Sequence, residues 1–67
     1  MSFVKVKAVE LLHGGRVSEH STELLINPTF VKVIVGKSVY TTEGEQGLSF
    51  TVDKRQYVRL EFISFEG

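Results

Sequence analysis

Sixty-seven residues with eight Lys plus Arg, eight Asp plus Glu and no Cys make one small domain that has no net field, disulfide framework or thiolate metal site. The charge balance argues against a polyanion or an anionic membrane as partner, while 42% hydrophobic residues exclude wholesale disorder. A chain this short buries only about 60% of its unfolded surface, so burial against a second copy is the expected supplement to a marginal core, and a homo-oligomer is predicted.

Phe3 to Leu12 reads as the first strand, with Val4, Val6 and Ala8 on one face and Lys5 and Lys7 on the other. From Val9 the run Val9-Glu10-Leu11-Leu12 breaks the alternation and predicts a bulge or a change of face. His13 to Thr22 is polar and opens on Gly14-Gly15, so it reads as a long mobile loop and the first place to look for a contact surface. Glu23 to Asn27 returns as a short strand.

Leu24 to Val35, two β-rich runs broken at Asn27-Pro28, reads as the stretch around which the chain is organised. Pro28 lacks an N–H and holds Asn27 out of helical geometry, so the chain must bend there. Val31, Val33 and Val35 then form the expected inward face of a strand, with Phe30 and Ile34 opposite. Gly36-Lys37, or Lys37-Ser38, lies between two β runs as a two-residue hairpin turn, Val39 to Glu43 pairs back, and Tyr40 projects to the face opposite Val39 and Thr41. Gly44-Glu45-Gln46-Gly47 is a second turn, after which Leu48, Phe50 and Val52 alternate inward.

The tail has two readings. As a strand after an Asp53-Lys54-Arg55-Gln56 turn, Val58, Leu60 and Phe62 face inward; as a helix capped by Asp53, apolar residues at 57, 58, 60, 62, 63 and 65 wrap nearly the whole cylinder. The period favours the strand. The fold expected over residues 1–67 is a single, mostly β domain: a small antiparallel open barrel or sandwich of five to six strands, the alternative being four to five strands plus a C-terminal helix at about 54–63.

Leu25-Ile26-Asn27-Pro28, then Val31 and Val33, a Val39-Tyr40-Thr41 strand, a Gly-containing turn and Phe50-Thr51-Val52-Asp53 together resemble the small FlbD-like (swarming motility) family and similar small phage proteins. The resemblance spans residues 3 to 60 as a pattern. It implies a non-catalytic accessory or regulatory protein of phage or bacterial type with a short C-terminal helix, and it carries over no catalytic residue.

No cluster supports an enzyme. Glu10, His13, His20 and Glu23 are metal-ligand types, but their spacing matches no metal motif and Gly14-Gly15 would not hold them rigidly, so neither metal nor cofactor is expected. Asp53 is far in sequence from both histidines, which argues against a triad. Gly36-Lys37-Ser38 lacks the preceding glycine and following helix of a phosphate loop. Lys5, Lys7, Arg55, Tyr57 and Arg59 are the ingredients of a single-stranded nucleic-acid platform, though zero net charge favours an ordinary wet sheet face.

Both faces of the central hairpin carry apolar groups, so one must be covered by the tail or by another chain. The expected function is therefore a small protein-binding module, regulatory, accessory or phage-inhibitory, using His13, Arg16, His20, Phe30, Ile34 and Tyr40 and an exposed strand edge. With no basic leader and no apolar run near the roughly 20 residues of a membrane span, it is expected in the cytoplasm.

Overall fold

A twelve-residue strand, Arg55–Glu66, is the one on which the sheet is assembled. A computed structural model of the chain describes residues 2–43 and 45–67 and contains six strands: β1 (Phe3–Leu11), β2 (Val17–Ile26), β3 (Val31–Val35), β4 (Ser38–Thr41), β5 (Ser49–Val52) and β6 (Arg55–Glu66). They make one antiparallel sheet in the order β2-β1-β6-β4-β3, with β5 also paired to β6. The sheet does not close on itself, and β2 and β3 are its two ends.

The mostly β architecture is the one expected, and the strand reading of the tail holds. The helix at about 54–63 is absent, because the same residues that would wrap a cylinder with apolar groups suit a strand with a neighbour on either side. Along one edge β6 runs beside β1 from Glu66 to Gln56; along the other it pairs with β5 through Arg55 to Val58 and with β4 at Glu61. The organising stretch is thus β6 with β1, and not Leu24 to Val35, whose β3 half lies at the rim of the sheet.

Val4, Val6 and Ala8 of β1 are buried as their alternation dictates, and Ile26, Val39, Phe50, Tyr57 and Leu60 complete the core. The register of β1 slips against both neighbours near Val9, where the alternation fails. Asn27-Pro28 makes the expected corner: the Asn27 side-chain oxygen accepts from the Thr29 backbone N–H and from its hydroxyl, each at 3.0 Å. The short 3-10 turn Pro28–Phe30 follows.

Four expectations are corrected. His13 to Thr22 is not a long loop: a 3-10 turn, His13–Gly15, leads at once into the ten-residue β2. Its polar run Ser18 to Glu23 is what an end strand needs, since one edge and most of its surface meet water. The inward face of β3 is not Val31, Val33 and Val35. Val31 opposes Thr41 but Val33 opposes Tyr40, so two steps on β3 match one on β4 and Lys32 is the extra residue of a bulge. The bulge resets the alternation: Val31 and Ile34 pack on the core, while Val33 and Val35 are 47% and 59% exposed.

Leu48, expected inward, is exposed just before β5, whose Ser49 and Phe50 are buried instead. The turn into β6 is shorter than expected. Val52 pairs with Arg55, and Asp53 and Lys54 both take positive φ, +51° and +66°, the backbone of a two-residue type I′ hairpin. Gly36 at φ +61° turns β3 into β4 as its position demands. Gly44, first residue of the predicted second turn, lies outside the described residues; the remainder of that turn is a 3-10 segment, Glu45–Gly47.

Candidate functional site

Two irregularities on either side of β1 shape the surface. In β2, Val17 and Ser21 oppose Leu11 and Val9, so four steps match two and the chain bulges through Ser18-Glu19-His20. The bulge is tied by the His20 N–H, which donates to the Ser18 hydroxyl at 3.2 Å. In β6, Val58 and Glu61 oppose Val9 and Lys7, so three steps match two, and Arg59 within that interval takes φ +57°.

The same interval is where β6 exchanges one partner for another, from β5 at Val58 to β4 at Glu61. Neither strand fills the fork between them, and concave surface is left there. An apolar concavity of about 410 Å³ is walled by Val17, Tyr40, Leu48, Val58 and Leu60, with Arg59 at its margin. A more polar one of about 680 Å³ is lined by Leu12, Arg16, Val17, Glu19, His20 and Arg59. Val17 and Arg59 belong to both, so the two form one groove with an apolar end and a basic end. A smaller hollow beside Lys7, Ser21 and Glu61 also has Arg59 in its wall.

Among the described residues the one ion pair is Lys5 with Glu23, at 3.3 Å. Arg16 and Arg59 line the groove without a carboxylate partner within 4 Å among the described residues. Guanidinium presents a planar fork of donors that suits a carboxylate, which gives the basic end a chemical preference.

Of the residues expected to bind a partner, Arg16 and His20 line the basic end and Tyr40 the apolar end. His13 is exposed on the hairpin turn before them. Phe30 and Ile34 lie apart from the groove: Phe30 meets Phe50 edge-on at 5.9 Å between ring centroids, and Ile34 packs on the core.

The five residues of the nucleic-acid platform do not share a surface. Tyr57 is buried in the core, where its ring has no face for a base to stack on. Lys5 is paired with Glu23, and Lys7 stands in register between Glu23 and Glu61. Arg55 is exposed at the start of β6, and Arg59 joins the groove instead. Glu10, His13, His20 and Glu23 do not converge: no group of three or more potential metal ligands forms among the described residues.

Sequence reasoning missed the apolar wall. Val17 fell inside the expected loop and Leu48 was assigned to the core, and no signal in either neighbourhood marks them as groove residues. No helix among the described residues is long and apolar enough to cross a membrane. Compared with known protein families, curated proteins and solved structures, the chain matches none.

Proposed function

We propose that the protein is a small, non-enzymatic, cytoplasmic protein-binding module that regulates, assists or inhibits by occupying a partner, and that it self-associates. The observation that carries this reading is the open edge of β3. Among the described residues Val31–Val35 ends the sheet with no strand beyond it, Val33 and Val35 are exposed, and the only charge in the segment is Lys32 at the bulge.

Soluble proteins usually guard such edges with charges or short polar strands, as β2 does at the other end of this sheet. A β-branched edge whose guards are its short length and the single Lys32 at its bulge can still take up an added strand through its backbone groups, with alternate side chains giving selectivity. The FlbD-like resemblance at the Ile26-Asn27-Pro28 corner, which implies a small accessory or regulatory protein, points the same way.

The test is retention of a partner from extract of the native host by immobilised protein, alongside the Val33→Lys and Val35→Lys variants. The expected result is one or more proteins retained through about 1 M salt, where surface electrostatics are screened, and lost from both variants. Light scattering on the unmodified protein should show a dimer or larger species that the same variants dissociate. Retention of nucleic acid that collapses as salt rises would overturn the reading in favour of a single-stranded nucleic-acid binder.

A further inference from the structure

We infer that the groove at the β6 fork is a second recognition site, and that its ligand is an extended peptide segment carrying an aliphatic side chain and a carboxylate. The inference deepens the protein-binding reading and rests on it, but uses a different surface from the β3 edge.

Arg59 is the first observation. A non-glycine residue in the left-handed region costs of order 1–3 kcal/mol and persists only where the surroundings hold it or its side chain has a use. A glycine would make the same bulge without that cost. Arginine stands there instead, with its side chain between the apolar and the basic ends of the groove.

Charge is the second. Arg16, between the His13–Gly15 turn and β2, and Arg59 of β6 both line the basic end; among the described residues neither has a carboxylate partner within 4 Å, and the opposing charge in that lining is the single Glu19. Two guanidinium groups converging on one hollow favour a carboxylate that accepts from both. Shape is the third. The apolar end, with Val17, Tyr40 and Leu48, has room for one aliphatic side chain and is open along its length, as is the basic end. An extended chain projects alternate side chains to the same side, so one segment can present an aliphatic group to one end and a carboxylate to the other.

The experiment is a two-dimensional NMR titration of the labelled protein with a capped Ser-Leu-Ser-Glu-Ser peptide and with the same peptide carrying Gln for Glu. The Glu peptide is expected to move the Nε–H signals of Arg16 and Arg59 together with the amides of Val17, Tyr40 and Leu48. Affinity should fall about tenfold for the Gln peptide and for the Arg59→Asn and Arg16→Gln variants. Arg55→Gln, outside the groove, should change nothing. Asn tolerates the left-handed region, so the Arg59 variant keeps the bulge, and the Arg16 variant does not touch it.

Equal affinity for the Glu and Gln peptides would overturn the inference, as would no shift at millimolar peptide. Shifts confined to β3 would also overturn it while leaving the edge-binding reading intact.

Discussion

The Thr41 hydroxyl in β4 donates to the Ser49 carbonyl oxygen in β5 at 2.7 Å, a buried bond between two strands that follow one another along the same edge of β6 and share no ladder pair. The hydroxyl has one hydrogen, so of the two carbonyls within reach, Ser49 and Glu43 at 2.9 Å, it serves one at a time while accepting from the Glu43 N–H at 3.3 Å. It is the polar tie that closes the fork on the core side.

Thr41→Val keeps the shape and removes the tie. The Ser49 carbonyl is left without that donor, which costs about 1–3 kcal/mol. A domain of this size has roughly 3–10 kcal/mol in all. Thermal unfolding should show a fall of about 4–8 °C per kcal/mol lost, and Thr41→Ser, which keeps the hydroxyl, should recover much of it. An unchanged Tm for Thr41→Val would mean that the bond contributes nothing net.

Gly47 makes the next case, because a Cβ there would lie 2.6 Å from the Thr41 carbonyl oxygen and its φ is +71°. Gly36 has φ +61° but open space around its Cβ position. Gly36→Ala should therefore cost only the left-handed backbone penalty, about 1–2 kcal/mol, and Gly47→Ala that penalty plus a backbone clash, about 3 kcal/mol or more. Denaturant midpoints for the two variants should separate in that order; equal midpoints would show that the turn before β5 shifts freely.

The hairpin between β5 and β6 asks two ordinary side chains, Asp53 and Lys54, to hold positive φ. Asp tolerates this geometry well, whereas Lys adopts it at a cost. Lys54→Gly should stabilise by about 1 kcal/mol, seen as a higher denaturant midpoint with an unchanged slope. A lower midpoint would show that Lys54 makes a surface contribution larger than its strain.

How much of this could be read from the chain depends on how local the cause is. Val4, Val6 and Ala8 alternate with lysines, and the Asn27-Pro28 corner is written in two residues, so both were legible. The part of β2 before Glu23 was not, because an end strand takes its hydrogen bonds from β1 and needs no apolar pattern of its own. The face of β3 was misread for another reason: one extra residue, Lys32, shifts the alternation by one, and a bulge of this kind leaves no compositional mark. The groove escaped for the same reason at larger scale. Arg16, His20 and Tyr40 were singled out, but what brings them near Arg59 is a pair of bulges and an exchange of partners on β6.

Arg59 yields the prediction that separates stability from function. Its φ of +57° is one a glycine adopts without cost, and its side chain is exposed, so little packing is lost on truncation. Arg59→Gly should raise stability by about 1 kcal/mol while weakening capture of an acidic peptide in the groove. Unfolding midpoints and peptide titration on the same preparation test both halves. A stabilised variant with weakened binding means that the arginine is kept at a structural cost for the sake of the groove. A destabilised variant would mean that the guanidinium helps hold the β6 fork, and that the strain is offset within the fold itself.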